Sequence, residues 1–220
     1  MKTIFLLLAS LGGASAAVIT VTDPTVGIIP DGNSSGVVRS LTVSAPGEVV
    51  FSAEVDIDIS AVSVNPSFLG DLYFYLSNGT HLSVLANRSG RRAGTPAGYA
   101  DNQAMRVTFS TLGAADLHNY RLTVTGSHAT PLTGPLTGIW QPDARAVDPA
   151  VALDTSPRTA GLDLFTGDDA TGAWTLFVAD ISTGGLHQLN TWTLRLNTVP
   201  EPGSTVLLFA AAALTMRRRR

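Results

Sequence analysis

Hydrophobic and polar residues alternate along much of this chain, most clearly between Glu48 and Ile59. The run EVVFSAEVDIDI puts Phe51, Ala53, Val55, Ile57 and Ile59 on one face, with Ser52, Glu54, Asp56 and Asp58 on the other. Successive strand residues point to opposite sides, so this pattern predicts a half-buried β-strand, with two aspartates about 7 Å apart on its wet face. In the run GDLYFYLSNGTHLSVLAN, Leu72, Phe74 and Leu76 share a face, and Leu82 and Val84 follow. Asn78-Gly79 between them tolerates positive φ, so the segment predicts a hairpin with Tyr73 and Tyr75 on the solvent side. Further strands are expected over residues 104–110 and 120–125.

The alternation dissolves between residues 128 and 159, where Pro and Gly accumulate. Neither flank is large enough for a domain of its own, which favours a loop crossing between sheets, anchored by Trp140, over a linker. The last two strands read AWTLFVAD and LNTWTLRL. Trp174, Leu176 and Val178 share one face, as do Trp192, Leu194 and Leu196. With Gly184-Gly185 between them they are expected to pair as a hairpin. Each tryptophan is in register with aliphatic residues, which favours core anchors over sugar-stacking platforms. The body shows no long helical periodicity. The expectation is all-β: one β-sandwich of Greek-key or jelly-roll type over residues 17–198.

Both ends break this pattern. Lys2, the apolar run 4–9, Gly12-Gly13 and the A-x-A triplet Ala14-Ser15-Ala16 read as a secretory signal peptide over residues 1–16, cut behind Ala16. At the other end, residues 199–220 hold Pro200-Glu201-Pro202, a nearly uncharged stretch and Arg217, Arg218, Arg219 and Arg220. As a helix, residues 203–216 would span about 21 Å. That is short of the ~30 Å hydrocarbon core, and local thinning and arginine snorkelling would make up the difference. Such a transmembrane segment would keep the arginines cytoplasmic and the body outside.

Charge and composition narrow the function. The net charge of −3 includes Lys2 and the four terminal arginines; without these five cations the segment between them carries −8. An acidic body lacks the basic patch that nucleic-acid binding requires. Cysteine is absent, which excludes disulfides, thiolate metal sites and cysteine nucleophiles. Except for Glu48, Glu54 and Glu201, the acids are aspartates, which suit tight turns and also calcium. Nucleophile-elbow, zinc-protease and phosphate-loop motifs are missing. The four histidines are scattered, and His81 and His187 beside predicted turns are expected to face solvent. Asp56, Asp58, Asp168 and Asp169 are the carboxylates a hydrolase site would draw on.

Two resemblances add to this reading. GDLYFYLSNGTHLSVLANRSG and LFTGDDATGAWTLFVADISTGGLHQLNTWTLRL resemble the hairpin and closing segments of proprotein-convertase P domains (P/homo B). Gly172-Ala173-Trp174-Thr175-Leu176 and Thr191-Trp192-Thr193-Leu194 fill the closing pattern. The resemblance implies a jelly-roll fold without protease activity. It also implies calcium as a candidate cofactor, at Asp71, Asp101, Asp169 and Asp180, although turn-capping and strand-capping roles account for the same four residues. The tail is similar to PEP-CTERM sorting signals, which implies an exosortase-type processing enzyme and a transient membrane anchor. The expected function is a non-catalytic, structural or adhesive protein of the cell surface or an extracellular polysaccharide matrix. The alternatives are a calcium-dependent or carbohydrate-binding module, with Tyr73, Tyr75 and Tyr99 as an aromatic patch, and a hydrolase.

Overall fold

The computed structural model describes residues 16–62 and 65–201. The leader with Ala14, and the tail with Pro202, the expected transmembrane segment and Arg217 to Arg220, lie outside the described residues. Among the described residues, ten strands form two sheets around one hydrophobic core. The strands are β1 (Ala17–Asp23), β2 (Gly27–Ile29), β3 (Val37–Val43), β4 (Glu48–Ala61), β5 (Leu72–Ser77), β6 (Leu82–Asn87), β7 (Met105–Phe109), β8 (Leu136–Trp140), β9 (Gly172–Asp180) and β10 (His187–Pro200). One sheet runs β1-β10-β4-β7-β8, with β2 pairing the start of β10; the other runs β3-β9-β5-β6. The β7–β8 pair is parallel and every other pair antiparallel.

Period-two burial carries the packing. On β4, Val55, Ile57 and Ile59 face inward, opposite Leu72, Phe74 and Leu76 of β5 and Trp174, Leu176 and Val178 of β9. Trp174 and Trp192 are both fully buried core anchors. Burial of this kind stabilises by roughly 25 cal/mol per Å² of apolar surface. The Asn78-Gly79 hairpin also forms, with Gly79 at φ 87° and the Asn78 side chain accepting from the amides of Thr80 and His81.

Several sequence expectations need correction. Phe51 does not join the inward face: it is 65% exposed, and Val50 is buried instead. Asn197 pairs with Ser52 and Thr198 with Val50, so Phe51 is the extra residue of a β-bulge, which resets the alternation below it. Residues 120–125 form a short helix, α1 (Tyr120–Thr125), and Leu122 and Val124 project outward. The Asp116 side chain caps the 3₁₀ turn before it, Gly126 ends it in the left-handed region, and Tyr120 and Arg121 are drawn inward onto Asp101. Strands β9 and β10 do not pair, because the turn after Asp180 crosses from one sheet to the other. That crossing buries His187, whose Nδ1 lies 2.7 Å from Asp180 Oδ2. The long stretch after His128 is mostly loop, anchored by buried Trp140, but it contains β8.

Candidate functional site

The outer face of the four-stranded sheet groups three half-buried aromatic side chains. Because Leu72, Phe74 and Leu76 point inward, Tyr73 and Tyr75 must point outward. Because Trp174, Leu176 and Val178 point inward on β9, Phe177 must likewise point outward. The register places Tyr75 directly across from Phe177. Their rings stack with centroids 4.9 Å apart and planes at 18°, and Tyr73 meets Phe177 edge-on at 6.1 Å. All three rings are half-buried.

These rings line a cleft of about 470 Å³, completed by Ser34, Ile181, Arg88 and the segment Asp148, Pro149 and Ala150. The loop wall is fastened from beneath. Buried Arg91 donates from Nη2 to Ala150 O at 2.7 Å, and Asn87 Nδ2 donates to Arg145 O and Val147 O at 2.9 Å each. Asp148 Oδ1 accepts from Ala150 N at 2.7 Å, which folds the rim into a turn.

At the polar end sits Arg88, 8% exposed and held at φ 52° in the left-handed region. Its Nε donates to Gly70 O at 2.9 Å, and its Nη2 lies 3.5 Å from Asp71 Oδ1. Burial pulls the Arg88 pKa down against the attraction of Asp71 and Asp180, and burial pushes the Asp71 carboxyl up against the attraction of Arg88. Arg88 Nη1, Asp148 Oδ2 and the hydroxyls of Tyr73 and Tyr75 have no hydrogen-bond partner among the described residues. Burial, with Tyr75 and Asp148 nearby, pushes the Tyr73 phenol up. The arrangement can therefore offer an apolar wall, hydroxyls that both donate and accept, one guanidinium donor and one carboxylate acceptor.

Tyr99, the third residue of the expected aromatic patch, lies elsewhere and is buried. Its ring sits under the Arg121 guanidinium at 4.7 Å and edge-on to Tyr120 at 4.8 Å, and burial pushes its pKa to about 12. The four candidate calcium aspartates do not converge. Asp101 is saturated by Tyr120 Oη and Arg121 Nε at 2.6 Å, Leu132 N at 2.8 Å and Arg121 Nη2 at 2.9 Å. Asp71 faces Arg88, Asp180 faces His187, and Asp169 accepts from Thr171 N in an exposed turn. Among the described residues no cluster of three or more His, Asp or Glu side chains is placed to hold a metal.

The carboxylates considered for hydrolysis are also engaged. Asp56 pairs with Arg195 and accepts from Thr108, while Asp58 lies 3.4 Å from Arg106 and accepts from Asn190. Asp168 accepts from Asn78 and faces His81, which is half-exposed as expected for a turn residue. His118 is fully buried, with Nδ1 2.7 Å from Asp143 Oδ2 and Nε2 2.8 Å from Arg91 O.

Sequence reasoning reached Tyr73 and Tyr75 and missed Phe177, Arg88 and Asp148. Phe177 was signalled by its phase opposite Trp174 and Leu176; the other two carry no local signal. Compared with known proteins, the chain matches no family model and no curated protein sequence.

Proposed function

We propose that this chain is an exported, non-catalytic β-sandwich of jelly-roll type that works as a binding module at the cell surface or in an extracellular polysaccharide matrix. Its leader is removed behind Ala16. Residues 203–216 and Arg217 to Arg220 hold it transiently in the membrane, and an exosortase-type enzyme processes it near Pro200-Glu201-Pro202. The observation that supports this most is where the fold's edges fall. Strand β1 begins at Ala17 and pairs with the last strand, Ala17 opposite Thr198, and β10 ends at Pro200. Both expected cuts therefore flank neighbouring strand ends and sever no core strand.

The sorting motif also meets the sheet. Val199 and Pro200 pair with Val49 and Glu48, and Glu201 N donates to Gly47 O at 2.8 Å. Pro200 has no amide hydrogen to give, which suits a strand's terminal position. A processing enzyme would take the chain from the exposed Glu201 onward. The test replaces Pro200, Glu201 and Pro202 by alanine in the producing cell. The expected result is an unprocessed chain retained in the membrane fraction; unchanged maturation and release would overturn the sorting route.

A further inference from the structure

The polar groups around the aromatic cleft select a ligand class by charge as well as by shape. Arg88 is already matched by two acids, Asp71 at 3.5 Å and the nearby Asp180. An anionic ligand would gain little from so compensated a guanidinium and would meet the Asp148 carboxylate at the rim. A cationic ligand would be drawn to Asp148 but repelled by Arg88, which lines the same cleft. A neutral ligand that presents both donors and acceptors escapes both penalties. It would satisfy Arg88 Nη1 with an acceptor, Asp148 Oδ2 with a donor, and the Tyr73 and Tyr75 hydroxyls with either.

The apolar part sets the second condition. Tyr73, Tyr75 and Phe177 stand together on one sheet face, and a volume of about 470 Å³ holds one or two six-membered rings rather than a long apolar chain. A molecule with an apolar C–H face and a rim of hydroxyls meets both conditions. We infer that the cleft formed by Tyr73, Tyr75, Phe177, Arg88 and Asp148 binds neutral pyranose residues of a saccharide chain. The rings take the C–H face, while Asp148 accepts from and Arg88 donates to the hydroxyls. This rests on the binding-module reading above and is independent of the route by which the protein is sorted.

The rigid parts of the site favour recognition without rearrangement. Arg91 and Asn87 hold the loop wall from below, and Asp71 and Gly70 O hold Arg88. A site fixed before binding loses less side-chain entropy when the ligand arrives.

The experiment uses the full chain, purified in a detergent without a sugar headgroup, on an array of immobilised oligosaccharides. The array carries neutral gluco-, manno-, galacto- and xylo-configured chains, uronate-containing and sulfated chains, and a proline-rich peptide. Neutral chains should be retained. Phe177→Ala should weaken retention about tenfold, the scale of one lost ring contact. Tyr73→Phe keeps the ring and loses only the hydroxyl, and should weaken it about threefold. Asp148→Asn removes the rim charge and should shift preference toward uronate chains. If Phe177→Ala lowers stability, Tyr73→Phe and Asp148→Asn still decide the matter, because both preserve the packing. Three results would each overturn the inference: no neutral chain retained, retention of neutral chains indifferent to all three substitutions, or stronger retention of uronate chains, sulfated chains or the peptide by the unsubstituted protein. Because binding is read on purified protein, a failed array leaves the sorting proposal standing, and a failed sorting test leaves this one standing.

Discussion

Asp101→Asn should be among the most damaging single-atom changes this protein can receive. The carboxylate, fully enclosed, accepts from Arg121 Nη2 and Leu132 N on Oδ1 and from Tyr120 Oη and Arg121 Nε on Oδ2. An amide keeps one oxygen: with its NH₂ in place of Oδ1 the bonds from Arg121 Nη2 and Leu132 N are lost, and with its NH₂ in place of Oδ2 the bond from Arg121 Nε is lost while the Tyr120 hydroxyl can turn to accept. A bond to the guanidinium is lost either way, and hydrogen bonds to charged groups contribute about 1.5–3 kcal/mol each. Independently, removing one partner of a buried ion pair costs about 3–5 kcal/mol. Arg121 keeps its contact over the Tyr99 ring and its bond to His128 O, which soften the loss. The expected destabilisation is about 4 kcal/mol, which for a domain of this size lowers the melting midpoint by roughly 10 °C. Urea denaturation followed by tryptophan fluorescence measures it. Asp169→Asn, in an exposed turn, serves as control and should stay within about 0.5 kcal/mol. Adding Arg121→Met to Asp101→Asn should recover part of the loss by removing the stranded charge. An Asp101→Asn effect no larger than that of Asp169→Asn would refute the view that Asp101 is a buried anchor.

Three further outcomes follow. Burial pushes the Tyr99 phenol up to about 12, and burial with the Asp101 charge raises Tyr120 well above its usual range. The folded state therefore keeps protons that the unfolded chain releases near pH 10, so this stabilisation is complete below pH 10 and is lost as pH rises toward 12. Absorbance at 295 nm should show these two phenols ionising only with loss of near-ultraviolet circular dichroism; reversible titration of all four tyrosines near pH 10 would contradict it. Phe51→Ser should change stability by no more than about 0.5 kcal/mol, whereas an inward-facing Phe would cost about 3–5 kcal/mol, and denaturant midpoints separate the two. Calcium and a chelator should give the same melting midpoint, because Asp101 is filled and Asp71 and Asp180 already face Arg88 and His187; a calcium-dependent rise would restore a structural site.

The strands with one dry face and one wet face were legible in the sequence, since alternation states both the element and its orientation. Strands β4 and β5 belong to this group, as does the inward aim of Trp174 and Trp192, whereas β6 is buried on both faces. What failed depended on contacts distant along the chain. YRLTVT alternates like a strand, yet Tyr120 and Arg121 are captured by Asp101, and that capture outweighs local preference. The glycines after Asp180 announce a reversal but cannot say whether the returning strand stays in its sheet; here it crosses to the other. Strand β8 was hidden by its brevity and by Gly138, and a bulge leaves no mark that would have excluded Phe51 from the core face. For the site, period two exposed the tyrosines. Arg88 owes its place to a left-handed backbone position and Asp148 to a loop held down by Arg91, and neither is written locally.

Export of the sandwich and its delivery by a removable C-terminal signal, as proposed, are decided by the intact mass of the protein recovered from the producing cell's surface or surroundings. The expected mass is that of a chain beginning at Ala17 and ending near Pro200 to Pro202, without Arg217 to Arg220. Recovery there of a chain that keeps residues 203–220, or confinement of the protein to the cytoplasm with its leader intact, would contradict the proposal.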